Sequence, residues 1–296
     1  MGTALEKTKE KLFEIEKNFT TEIYEQYLNG EIEYSSLPKI IGSDRYAIDK
    51  FMALKGFKKR KTVIDETTNH SIFSDINTQE KAYLLGFYYA DGSLSDEHIS
   101  ISVSEKDYEI IGFFKNYICK YNKHTVTKPF CNKKSGYTSK PMMTITFRSK
   151  QISEDLNRYG MGENKTYSST TDLSFIPKDL MIHFIRGYFD GDGTVCHTHG
   201  VSKKKLPNGD YKSYPYNNYN WSIISNNENV VRAISNFLRD NYGMHSNIIN
   251  DKRGHHLVEI NRKKDFFLMR ELLYEKASLF LSRKKEKYLS IQDTRS

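Results

Sequence analysis

The sequence predicts an α+β protein: two pseudo-symmetric αββαββα halves packed through a pair of apolar helices, with a small all-α domain in front of them. Three observations predict it. A helix-like apolar segment closing in Asp-Gly occurs twice, as "AYLLGFYYADGSLS" at 82–95 and "HFIRGYFDGDGTVC" at 183–196. The same order of strand-like and helix-like segments follows each copy, at an interval of 101 residues between Asp91 and Asp192, which marks an internal duplication of one small domain. Ahead of both copies, residues 1–61 break into short amphipathic runs without strand alternation. A chain of 296 residues has room for more than one core, so we divide it into a helical domain at 1–61, a linker at 62–76, a first half at 77–172 and a second at 173–296.

Residues 4–18 read as a charged helix, and the next helix ends near Asn29-Gly30. A short helix over Leu37–Ile41, a turn at Gly42-Ser43 and a helix over Asp44–Leu54 have the spacing of a helix-turn-helix. Its second helix would present Arg45, Tyr46 and Lys50 to a DNA groove, and the basic run "KGFKKRK" adds Lys58, Lys59 and Arg60. From Thr62 to Ile76 the apolar pattern lapses, hence the linker.

The first half opens with Asn77 as N-cap and Glu80 three residues on, a capping box. The second opens at Pro177, a residue favoured at the first helical position. Each half then continues through two strands, a helix, two strands and a helix, ending in "ISEDLNRYG" and "KKDFFLMRELLY". The long hairpin falls second in the first half, around "NKKSG", and first in the second half, turning at Pro207-Asn208-Gly209. Both hairpins are basic, at Lys133 and Lys134 and at Lys203, Lys204 and Lys205, and Arg253 joins them as a candidate DNA contact. A two-stranded ribbon of this kind fits a major groove.

Composition narrows the function classes. The net charge is +8, and all of the excess lies beyond residue 75, where 33 Lys and Arg face 24 Asp and Glu. Basic side chains among many Tyr, Asn and Ser suit a polyanion such as nucleic acid, because phosphates release counterions and polar groups read base edges. No stretch has the apolar length of a membrane span, and the N-terminus lacks a signal-peptide core, so a soluble intracellular protein is expected. The cysteines Cys119, Cys131 and Cys196 lack metal-ligand spacing and read as reduced thiols.

In the repeated helices, Gly86 and Ala90, and Gly187 and Gly191, stand four apart and share a face, which lets two backbones approach closely. Gly92 and Gly193 are placed for a left-handed helix end. Asp91 and Asp192 would then lie side by side where helix C-termini add partial negative charge, an arrangement that calls for a cation. Hard carboxylate oxygens suit Mg2+ or Mn2+, and such ions activate water for phosphodiester hydrolysis.

Both segments resemble the signature of LAGLIDADG homing endonucleases in their two-motif, single-chain form, and the resemblance extends from about Asn77 to Tyr288. It implies a monomer with internal pseudo-two-fold symmetry, a saddle of two sheets over double-stranded DNA, and metal-dependent double-strand cleavage. Asp91, Asp192, Ala90 and Gly191 form the implied metal set. Basic residues at comparable points of "SKQISEDLNRYGMGENKT" and "ELLYEKASLFLSRKKEKY" put Lys165 and Lys284 beside the two centres. One departure is Tyr89, where the family often carries an earlier aspartate, matched in the second copy by Asp190. Two rivals share the fold: a DNA-binding regulator that does not cut, and an intron maturase that binds RNA. The pair His197 and His199 lacks further ligands for zinc.

Overall fold

The computed structural model describes residues 4–129, 138–163, 171, 173–251 and 254–293. They form two compact units, one of residues up to Asn69 with Phe114–Thr125, the other of His70–Phe113 with Val126 onward.

The first unit is helical: α1 (Ala4–Asn18), α2 (Thr21–Asn29), α3 (Leu37–Ile41), α4 (Arg45–Lys55) and α5 (Arg60–Thr67). Between α3 and α4 the chain turns at Gly42, whose φ of 73° is open to glycine without a Cβ penalty. Asp44 then caps α4 by accepting from the Ala47 amide at 2.8 Å. Ile15, Phe19, Leu28, Leu37, Ile41, Ile48 and Phe51 make the core, and Tyr121 from the later segment joins them. The expected linker differs from observation at both ends. Its first residues belong to α5, whose Val63 and Ile64 pack on this core, while Ile72, Phe73 and Ile76 are buried in their own right. Runs this short are below the length at which periodicity shows in a sequence.

The second unit carries the duplication, except that residues Phe114–Thr125 of its first half belong to the first unit. Its first half is α6 (Gln79–Asp91), β1 (Gly92–Ser95), β2 (His98–Ser104), α7 (Tyr108–Tyr117), β3 (His124–Thr127), β4 (Met142–Arg148) and α8 (Lys150–Arg158). The second is α9 (Met181–Asp192), β5 (Gly193–Lys205), β6 (Tyr211–Ser225), α10 (Glu228–Tyr242), β7 (Asn247–Asn250), β8 (His256–Ile260) and α11 (Lys263–Tyr274), followed by α12 (Ser282–Ser290). The sheet orders, β1-β2-β4-β3 and β5-β6-β8-β7, are the same arrangement twice.

Period-2 alternation gives each sheet one apolar face. Ile99, Ile101, Val103, Ile145 and Phe147 are buried in the first sheet, and Val195, Tyr219, Trp221, Ile223, Val258 and Ile260 in the second. Two helix starts depart from expectation. Thr78, not Asn77, caps α6 by accepting from the Lys81 amide at 3.3 Å, and Asn77 instead donates to Asp75 at 2.8 Å. Pro177 opens a turn closed by Leu180 N donating to Pro177 O at 2.9 Å, and α9 begins after it at Met181. Pro satisfies a turn position as readily as a first helical one, since both need the same φ.

Candidate acidic centre and sheet faces

The apolar helices α6 and α9 are buried over almost their whole length and run against each other at backbone distance. A Cβ added at Gly86 would stand 2.1 Å from the Phe184 carbonyl oxygen, and one at Gly187 would stand 2.0 Å from that of Tyr83. These two contacts are equivalent under the duplication. The small-residue face anticipated from the sequence is therefore the helix interface. Further along it, a Cβ on Gly191 would meet the Ala90 Cβ at 2.4 Å and the Asp91 carboxylate oxygen at 3.0 Å. Asp91 thus reaches over the partner helix at the residue next to Asp192. Asp91 is half-buried and Asp192 exposed.

Neither helix ends in a left-handed residue. Gly92 (φ −85°, ψ 156°) and Gly193 (φ −81°, ψ 158°) are extended, so each helix runs straight into the first strand of its sheet. Glycine is required there for a different reason. A side chain would strike the preceding turn, 2.2 Å from the Tyr88 ring at Gly92 and 2.1 Å from the Phe189 ring at Gly193.

Lys284 lies at the Asp192 end. Its ammonium is buried and donates to the carbonyls of Phe189, at 3.3 Å, and Gly193. Burial lowers its pKa to about 8, helped by neighbouring Arg283 and opposed by Asp190, Asp107 and Asp192. The side chain neutralises the carbonyl end of α9, the place where a cation best complements a helix dipole. Arg283, beside it, forms a two-point ion pair with Asp107, and Glu109 accepts from the Ser282 amide at 2.7 Å and its hydroxyl at 2.8 Å. These contacts fasten α12 to the first half. Sequence reasoning missed them because no periodicity links residues so far apart. Lys165 lies outside the described residues.

Asp190 is a structural group. It is fully buried and accepts from Tyr274 at 2.7 Å, the Leu281 amide at 2.7 Å and Tyr83 at 2.9 Å, with donors from both halves. Burial raises its pKa to about 6 against the opposing pull of those donors. One turn earlier, buried Arg186 donates to the carbonyls of Leu279 at 2.8 Å and Leu273 at 3.3 Å. Tyr89 takes the equivalent place in α6 and sets its ring edge-on to Tyr188 at 5.1 Å.

The other face of each sheet is open and polar. Ser100 pairs with Thr146 and Ser102 with Thr144, with hydroxyls 2.9 and 2.8 Å apart. In the second sheet Thr194, Thr198, Asn218 and Asn220 lie on this side, and Asn220 donates to Glu259 at 3.1 Å. Beyond the sheet, β5 and β6 continue as a two-stranded ribbon in which Lys204 faces Lys212, beside exposed Lys203 and Lys205. Like charges directly opposed weaken a ribbon standing alone. Lys133, Lys134 and Arg253 lie outside the described residues. In the helical unit, Tyr46 is 75% exposed and Lys50 is exposed, while Arg45 lies over the Tyr34 ring at 5.0 Å. Lys58 and Lys59 make surface ion pairs with Glu66 and Asp49. Arg60 is committed within that unit, donating to Leu28 O at 2.7 Å and Tyr121 O at 2.9 Å.

Among the described residues, no group of three or more His, Cys, Asp or Glu side chains is placed to hold a metal ion. No helix among them is long and apolar enough to cross a membrane.

No family model matches this sequence, and no curated protein does. Among solved structures, the homing endonuclease I-WcaI bound to its DNA recognition sequence is similar over 76% of this chain and 91% of that one, at 15% identity and a TM-score of 0.50. The N-terminal LAGLIDADG domain of DUF199/WhiA aligns with 69% of this chain and 89% of its own, at 17% identity and a TM-score of 0.39. The meganuclease I-SmaMI bound to uncleaveable DNA aligns with 70% and 86%, at 14% identity and a TM-score of 0.45. The glycine-lined helix pair, the two sheets of one topology and the match to I-WcaI establish that this chain has the LAGLIDADG fold.

Proposed function

We propose that the chain binds double-stranded DNA along the open faces of its two sheets and hydrolyses phosphodiesters, with Mg2+ or Mn2+, at the adjoining ends of α6 and α9. One observation carries the reading: two equivalent carboxylates, Asp91 and Asp192, end helices held at backbone contact, with Asp91 reaching over Gly191. The donor set fits a hard divalent ion. Two carboxylates, with the main-chain oxygens of Ala90 and Gly191 as further candidate donors, would leave coordination positions for water and for phosphate oxygens of the substrate. When bound, the ion would lower the pKa of water and stabilise the leaving oxygen. The chain's own residues set the spacing of the acids, and the hydroxyl and amide groups of the sheet faces meet the bases. The Lys204 and Lys212 ribbon would relieve its repulsion against phosphates. The likeness to I-WcaI, a structure bound to its DNA recognition sequence, supports the same partner.

A second reading, a DNA-binding protein of this fold that does not cut, has its own support. The described residues hold no three-ligand metal group, and the ammonium of Lys284, expected to serve the reaction, is occupied by the Phe189 and Gly193 carbonyls. One experiment separates the two. A plasmid library with randomised sites is incubated with the protein and Mg2+, beside Asp91→Asn and Asp192→Asn, and binding is followed in parallel. Cleavage that both variants abolish while binding persists supports the nuclease. Binding without cleavage by the parent chain establishes the second reading, and preference for structured RNA over duplex DNA refutes both.

A further inference from the structure

A cavity of about 280 Å3 opens beside Asp192, lined by Tyr89, Tyr188, Ser225, Asn226 and His255 among others. At roughly 30 Å3 per water it has room for several. His255 is fixed there by three hydrogen bonds. Its amide donates to the Asp251 carboxylate at 2.9 Å, its carbonyl accepts from the Asp251 amide at 2.8 Å, and its Nδ1 meets Asn226 Oδ1. With Asn226 Oδ1 as the acceptor, Nδ1 is the donor, and the neutral ring then has its lone pair on Nε2.

The duplication gives this group no twin. Gly92 stands opposite Ile101 and Gly193 opposite Ile223, and these isoleucines face Ile145 and Val258. Three residues along each strand from those pairs come Ser104 and Met142 in the first half, Asn226 and His255 in the second. The first half therefore places a hydroxyl and a thioether where the second has an amide and an imidazole.

Building on the nuclease reading, we propose that His255, held by Asn226, is a positioning residue that accepts a hydrogen bond through Nε2 from water in the Asp192 cavity. The Asp91 side and the Asp192 side of the centre are then chemically unequal, and the two strands of a duplex are cut by unequal sites. Proximity of a well-aimed acceptor to the attacking water is worth about 100-fold in rate.

The test has a metal-free arm and a strand-resolved arm. In EDTA, with a random-sequence duplex whose binding is verified by gel shift, carbethoxylation by diethyl pyrocarbonate is followed at each histidine by mass spectrometry. Bound duplex should slow His255 severalfold and leave exposed His199, on the opposite face of its sheet, unchanged. Duplex that binds without shielding His255 overturns the inference alone, whereas a duplex that does not bind overturns the DNA reading itself. In plasmid nicking with Mg2+, His255→Leu should slow one strand about 100-fold and spare the other. His255→Gln, which keeps an acceptor oxygen, should restore most of that rate, and Met142→Leu should change neither strand. Equal slowing of both strands, or no slowing, refutes the assignment, and a parent chain that cuts neither strand refutes the nuclease reading on which it rests.

Discussion

Replacing Gly86 by Ala puts two ordinary rules in opposition. In a helix interior alanine is favoured over glycine by about 1 kcal/mol, so propensity alone predicts a more stable protein. Sterics predict the reverse, because the added methyl would stand 2.1 Å from the Phe184 carbonyl oxygen and 2.9 Å from its carbon. Reaching ordinary contact requires the two helices to part by roughly 1 Å, and the obstacle is main chain, which cannot rotate away. Overpacking of this kind costs ~1–3 kcal/mol, and parting the helices also loosens the side chains packed along both. Gly86→Ala should therefore lower stability by about 2 kcal/mol net.

Gly112, inside α7, supplies the control, since a Cβ there meets nothing within 4 Å. Gly112→Ala should raise stability by roughly 0.5–1 kcal/mol. Trp221 makes the measurement simple. It is the one tryptophan of the chain, fully buried and stacked on Phe189 at 5.3 Å, so its fluorescence during urea unfolding reports on the duplicated unit. Should Gly86→Ala unfold at the parent urea concentration or above it, with an unchanged slope, the close-packed helix pair is wrong.

Arg283→Leu should cost about 2 kcal/mol in the same assay, because Asp107, 10% exposed, would keep a carboxylate without its two-point partner. Adding Asp107→Asn should recover part of that loss, and additive losses would refute the pairing. His183, which shares a hydrogen bond with Arg186 at 2.7 Å, has its pKa lowered to about 4, first by burial and then by that guanidinium. The folded state then binds the proton less well than the unfolded chain, so this contribution is complete above about pH 6.5 and is lost as pH falls towards 4. His183→Gln should flatten the acid limb of a stability profile across that window, and an unaltered limb would refute the assignment. Lys204→Ser with Lys212→Ser should reduce the salt dependence of DNA binding by about 2 in the log–log slope and leave stability unchanged. An unchanged slope would exclude the ribbon from the interface.

The duplicated architecture was legible because its determinants are local or repeat. The twofold Asp-Gly segment, the four-residue glycine spacing and the period-2 strands each need only a short window. What depended on partners distant in sequence was not. Gly92 and Gly193 suggested left-handed ends, and only the strand that continues each helix shows that the missing Cβ is needed against the Tyr88 and Phe189 rings. Tyr121 falls in a stretch that reads as part of the first half, yet its ring completes the core of the helical unit and its carbonyl receives Arg60. Of the basic run, composition cannot say that Arg60 is committed to carbonyls while Lys58 and Lys59 sit in exposed pairs that cost little to break.

The same division explains where the two copies diverge. Gly86 and Gly187 are held equal by a contact that the two-fold makes identical, each against a main-chain oxygen of the other helix. Tyr89 and Asp190 occupy equivalent places but meet unequal surroundings. Asp190 faces Tyr274 and the Leu281 amide, which come from the chain after the second sheet, and three donors make a buried carboxylate tolerable there. Tyr89 instead meets the ring of Tyr188 and lines the cavity that holds His255. A carboxylate in that place would be buried against an aromatic edge, and its desolvation would oppose ionisation. Fusing two copies into one chain removes the requirement that the Asp91 and Asp192 sides of the centre be chemically the same. The two positions differ as their surroundings do: Asp190 is met by donors from both halves, whereas Tyr89 lines the cavity beside Asp192.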